Sequence, residues 1–171
     1  MEHNRFEFRR YLESDLDILY EEYIHYACSH IQPYLSGGEI GMDKSSFEKK
    51  VRQISRKQHH PPIIANAEGI PCGICRIAYH HANRYHELTL HLWNHRHITK
   101  NVLREILRRS LHPEEYLLME VPGYAPELKQ AAEELGMDLA GTIPNYLRRD
   151  DRLYHKYTYL ITSAKWHSAQ N

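Results

Sequence analysis

The sequence has no excess of charge of either sign. Its 22 Lys and Arg balance 22 Asp and Glu, so the formal net charge at pH 7 is zero, and the basic footprint of a general nucleic-acid or membrane-surface binder is missing. Cysteine is scarce as well. Three Cys, an odd number with only Cys72 and Cys75 close together, do not make a secreted disulfide framework, and a reducing compartment is expected. No apolar run approaches the roughly 18 residues of a membrane span. The opening Met1-Glu2-His3-Asn4-Arg5 leads into alternating sequence rather than the apolar region of a signal peptide. These absences predict a soluble, cytoplasmic chain with no nucleic-acid or membrane partner. There is also no linker, internal repeat or low-complexity segment, and 171 residues make one domain that can bury well over half of its unfolded surface.

Histidine and tyrosine are the abundant residues, at 14 and 13. Protonating half of the histidines near their reference pKa of about 6.5 would raise the net charge to about +7, so the surface charge depends on pH.

Phe6 and Phe8 alternate with charged residues and predict a short first strand, and Ser14 ahead of Asp17 predicts a helix start. Leu16, Leu19, Tyr20, Tyr23, Ile24 and Ala27 recur at helical steps and share one face. After Pro33 and Ser36-Gly37-Gly38, Asp43 caps a second helix whose buried stripe is Phe47, Val51 and Ile54. Ile63 to Ala67 and Ile70 to Tyr79 flank Glu68-Gly69 as an antiparallel pair. Glu87 to Trp93 alternates as a third strand, with Leu88, Leu90 and Leu92 on one face. Ile98, Val102, Leu103, Ile106, Leu107 and Leu111 form a helix ending before Pro113, and Glu115 to Val121 is the next strand. Pro126 opens a helix that carries Leu128, Ala131, Ala132 and Leu135 and stops at Gly136. Two last strands, Asp138 to Leu147 and Leu153 to Ser163, turn at Asp150-Asp151. The order predicts an α+β (α/β three-layer) fold, a mixed, mostly antiparallel sheet of about six to seven strands with helices on both faces. Residues 1–163 read as a single domain and 164–171 as a flexible tail.

Two other patterns carry potential chemistry. Cys72-Gly73-Ile74-Cys75 has the spacing of a redox or zinc pair. Residues three apart on a strand point to opposite faces, however, so packed structural cysteines are the better reading unless Gly73 bulges. His91, His95 and His97 have donors suited to zinc or nickel. No carboxylate at ligand spacing accompanies them, and we expect no metal; His80, His81 and His86 read as a solvent-facing loop.

One longer string points to a family. Glu134-Leu135-Gly136-Met137-Asp138-Leu139-Ala140-Gly141-Thr142-Ile143-Pro144-Asn145-Tyr146, then Arg149-Asp150-Asp151-Arg152-Leu153-Tyr154 and a closing strand, resembles the ending of the GNAT superfamily of acyl-CoA-dependent N-acyltransferases. The branch it resembles most acetylates ribosomal-protein N-termini and small amines. Glu68-Gly69-Ile70-Pro71-Cys72-Gly73 is similar to that family's turn between its second and third strands, and the order of elements agrees from residue 5 to residue 163.

The resemblance implies acetyl-CoA, or another acyl-CoA, as co-substrate. Its pantetheine would lie between the parallel strands Glu87–Trp93 and Glu115–Val121, with the pyrophosphate at the start of the following helix, where unpaired amides and the helix dipole favour an anion. The implied cofactor-binding residues are Leu92, Trp93, Asn94, His95, Arg96, His97, Ile98, Thr99 and Lys100. The family's loop reads Q/R-x-x-G-x-G/A, and here His97 and Thr99 replace both small residues. Thr99 can cap the helix or donate to a phosphate. His97 blocks close backbone approach unless the loop takes another path, while His95, Arg96, His97 and Lys100 can supply cationic donors in place of amides. Lys100, Arg104, Arg108 and Arg109 could meet the adenosine phosphate end, or form a solvated face with Glu105.

The family's thiolate-protonating Tyr aligns with Ala132, and the Asn that begins that helix aligns with Ala125, so neither role carries over. Attack of an amine on a thioester needs a base, and a proton donor for sulfur helps. Glu87, His91 and Glu120 are the candidate bases; Tyr124, Tyr146 or Tyr154 is the candidate acid. The expected function is acetyl transfer to a primary amine of a small molecule or peptide. The alternative is a binding or regulatory module that keeps the fold without catalysis.

Overall fold

The computed structural model describes residues 5–26, 42–57, 62–93, 98–149 and 151–169. In chain order the elements are β1 (Phe6–Arg9), α1 (Leu16–Tyr26), α2 (Lys44–Lys57), β2 (Ile63–Asn66), β3 (Pro71–His80), β4 (Tyr85–Leu92), α3 (Thr99–Ser110), β5 (Tyr116–Pro122), α4 (Pro126–Glu134), β6 (Asp138–Arg149), β7 (Arg152–Thr162) and α5 (Ser163–Ser168). The strands form one mixed sheet in the order β1-β2-β3-β4-β5-β7-β6, in which β4 and β5 run parallel. This is the expected fold class, with seven strands and five helices among the described residues. Among the same residues no helix is long and apolar enough to cross a membrane. Contacts gather into two compact units, Met1–Arg76 with Thr89–Asn94, and Ile77–Leu88 with His95–Asn171.

In the first unit, Leu19 of α1 and Phe47 and Val51 of α2 pack with Ile63, Ile74 and Trp93. Asp43 caps α2 as read from the sequence, accepting from the Ser46 amide at 3.0 Å. The entry to α1 differs. The chain passes through a 3-10 turn at Glu13–Asp15, and Asp15 rather than Ser14 supplies the acceptor, taking the Leu12 amide at 2.8 Å. Its carboxylate also receives both Arg9 guanidinium nitrogens, at 2.7 and 2.8 Å, and Arg9 donates further to the Gly69 carbonyl at 2.7 Å. One buried charge pair therefore joins β1, the start of α1 and the β2–β3 turn. Ile24, expected on the buried face of α1, is 56% exposed among the described residues; Ala27 lies outside them. Gly73 faces β4 so closely that a Cβ would lie 2.8 Å from the His91 carbonyl and against Leu92.

In the second unit, α3 buries Val102, Leu103, Ile106 and Leu107, β5 buries Leu117, Met119 and Val121, and α4 buries Leu128, Ala131 and Ala132. α4 begins at Pro126 and ends before Gly136, which takes φ 79°. The β6–β7 ladder is irregular between Ile143 and Leu147, where Asn145 takes φ 53°. Of the segment expected to be a flexible tail, residues 164–168 belong to α5, and 170–171 lie outside the described residues. The Thr162 side chain caps α5 by accepting from the Lys165 amide at 3.3 Å, and Trp166 anchors it at 3% exposure.

Candidate active site

β4, α3 and β5 make one parallel crossover. The β4–β5 ladder runs from Tyr85↔Tyr116 to Leu88↔Met119, and β5 continues to Pro122. The cap position of α3 falls on Ile98, whose side chain makes no cap bond, and the first turn holds no acidic residue. Thr99 thus lies inside the helix instead of capping it. Such a helix start carries the positive end of the helix dipole.

The residues expected at the cofactor divide three ways. Trp93 and Ile98 are buried core side chains, while Leu92 ends β4. Lys100 donates to Glu134 of α4 at 2.7 Å and, together with Gln130, holds the Glu134 carboxyl below the usual carboxylate range. Asn94, His95, Arg96 and His97 lie outside the described residues. Of the basic edge on α3, Arg108 and Arg109 turn onto Glu105 at 2.6 and 2.7 Å, the solvated-face reading. Their hydrogen bonds, Arg108's foremost, hold the Glu105 carboxyl at about 2.

The catalytic candidates are distributed over separate contacts. Glu87 sits within the paired part of β4, opposite Leu118, and its carboxylate meets His80 Nε2 at 3.1 Å. His91 is buried in the first unit, its ring 5.5 Å from that of Trp93. Glu120 is the β5 residue that follows Met119, the last one paired with β4, and it stands opposite Thr158 of β7. Lys156, two residues along the same β7 face, donates to it at 2.8 Å, a diagonal cross-strand contact. The same ammonium lies 4.5 Å from the centre of the Tyr146 ring. Tyr124 stands edge-on to Tyr154, with ring centres 5.3 Å apart. Its position follows from Gly123, whose amide donates to the His155 carbonyl at 2.8 Å and which has no room for a Cβ. Glu120, Tyr124, Tyr146 and Tyr154 therefore belong to one region, where β5, β6 and β7 meet.

Sequence reasoning missed Lys156. Nothing in Leu153-Tyr154-His155-Lys156-Tyr157 marks it, and only the antiparallel register brings it to Glu120. At the family's acid position, Ala132 is fully buried packing on α4, and Ala125 is the α4 cap residue without a side-chain cap bond.

The other patterns are structural. Cys72 and Cys75 are buried, and burial pushes the Cys72 thiol up to about 11, leaving it protonated and unreactive near neutrality. His80 and His86 are not in a loop. His80 ends β3, and His86 is buried on β4, its Nε2 2.8 Å from Glu115 Oε2. Burial pushes the Glu115 carboxyl up, but hydrogen bonds with His86, the His112 amide and Tyr79 outweigh it and leave it below the usual range.

Neither a family model nor a curated protein matches the chain. Solved structures match it in fold. A spermidine N-acetyltransferase from Vibrio cholerae in complex with CoA and spermine is 14% identical, covers 95% of this chain and 98% of its own, and has a TM-score of 0.72. A GNAT-family acetyltransferase from Bacillus anthracis is 13% identical over 96% of this chain and 98% of its own, with a TM-score of 0.60. A probable acetyltransferase is 14% identical over 97% and 96%, with a TM-score of 0.71. The seven-stranded sheet with its parallel β4–β5 crossover is the GNAT acyltransferase fold. At 13 to 14% identity to these structures, the chain is a divergent example of that fold.

Proposed function

We propose that the chain is an acyl-CoA-dependent N-acyltransferase of the cytoplasm that moves an acetyl group from acetyl-CoA to a primary amine of a small molecule or peptide. The observation that carries this reading is the start of α3. It follows the first strand of a parallel pair, lacks a side-chain cap and has no acid in its first turn, which suits a pyrophosphate. A fold neighbour with CoA and spermine bound supports it.

On this reading Glu120 is the base. It lies toward the carboxyl end of β5, where open α/β sheets bind ligands, whereas Glu87 lies within the paired stretch. Glu120 takes the proton of the amine as nitrogen bonds to the thioester carbonyl carbon. Tyr124 gives its proton to sulfur as the carbon–sulfur bond breaks. Mixing the protein with acetyl-CoA and a panel of amines, and following thiol release, tests the reading; no turnover on any amine overturns it. The second reading, a CoA-binding module without catalysis, is favoured by the buried Ala132 at the family's acid position. A rise in melting temperature with millimolar CoA but no turnover would select it.

A further inference from the structure

Glu120, the base of the proposed reaction, already holds a cation. The Lys156 ammonium lies 2.8 Å from its carboxylate, and the Lys156 side chain is only 15% exposed against 47% for Glu120. The face of Tyr146 covers the same ammonium at 4.5 Å. A carboxylate on one side and an aromatic face on the other form a recognised setting for a cation, and here the chain's own lysine fills it. Several other acids of the second unit are also paired with cations of the chain. Glu105 pairs with Arg108, Glu133 with Lys129, Glu134 with Lys100, and Asp138 with Lys165. A polyamine is held by several carboxylates that its several ammonium groups can neutralise, and these carboxylates are neutralised within the chain.

We propose, resting on the acyltransferase reading above, that the acceptor is a primary amine carrying a single positive charge. Lys156 is the specificity-determining residue that turns polyamines away. Its charge repels a second ammonium near Glu120. It also favours the neutral, attacking form of a lone amine, because a nearby like charge disfavours the ammonium.

The test compares kcat/KM for phenethylamine and spermine with acetyl-CoA and the full chain. The wild type is expected to favour phenethylamine. Lys156→Gln should raise the ratio of spermine to phenethylamine by about fivefold, what one partly exposed charge contact is worth. The rise should shrink with added salt, and Lys156→Arg should keep the wild-type ratio. A merely structural role for Lys156 would move both amines together. A wild type that prefers spermine, or a ratio unchanged in Lys156→Gln, overturns this inference and leaves the acyltransferase reading intact; the first of these needs no variant to fold. No turnover on any amine, with no rise in melting temperature on adding CoA, removes both readings.

Discussion

Two ion pairs, one in each compact unit, have nearly the same length and equally covered cations, but their carboxylates differ in exposure. Arg9 meets Asp15 at 2.7 Å with the Asp15 side chain 2% exposed, and Lys156 meets Glu120 at 2.8 Å with the Glu120 side chain 47% exposed. In the first pair every carboxylate oxygen has protein donors, and the guanidinium reaches a backbone carbonyl as well. Breaking it strands a charge away from water. In the second pair Lys156 is as covered as Arg9, 15% against 16% exposed, but Glu120 faces water, so water can take the place of the lysine at the carboxylate and the contact contributes little to stability. Equal distances therefore describe a structural clasp in one place and an exchangeable site in the other.

The largest effect should come from breaking the clasp. Asp15→Ala removes the buried carboxylate and leaves the largely covered Arg9 guanidinium to the exposed Glu7 carboxylate at 3.6 Å, and it should cost about 3 kcal/mol of unfolding free energy, read by urea denaturation. Glu120→Gln should leave the unfolding midpoint nearly in place while lowering kcat/KM for the best amine by about 100-fold or more, the usual worth of a general base. Next, Lys156→Gln should change stability by less than about 1 kcal/mol, and a larger loss would mean that its pair resembles the Arg9 clasp after all. The smallest effect concerns pH. The folded Glu105 carboxyl sits at about 2, below its ordinary 4.5, so its contribution is fully present above the unfolded pKa and is lost as pH falls from there through about 2. The melting-temperature difference between wild type and Glu105→Gln should accordingly narrow across that window and stay constant at neutral pH.

The contrast also shows what a reader of the sequence could see. The helices and strands were legible wherever apolar side chains repeat locally, as in Val102, Leu103, Ile106 and Leu107 of α3 or Leu117, Met119 and Val121 of β5. Asp43 was legible because a cap acts within its own turn. Asp15 was not, since its partners come from β1 and the preceding turn and share no period with it. His86 looked like a loop residue because its burial depends on Glu115, far along the chain. The apolar anchor of α5 is Trp166, and a single aromatic residue sets no pattern. In the candidate site, Glu120 and the start of α3 were reached through the family resemblance and the order of elements. Lys156 could not be, because it meets Glu120 only through the pairing of β5 with β7.

The hydrogen bond from Arg9 to the Gly69 carbonyl spans 60 residues of chain. It closes a large loop in the manner of a disulfide, in a protein whose Cys72 and Cys75 are buried. The closure differs in kind from a covalent one. A disulfide persists in the unfolded chain and restricts it there, whereas this clasp exists only once the chain has folded. It therefore cannot lower the entropy that closure must overcome; it rewards closure after the fact, and it is indifferent to reductant.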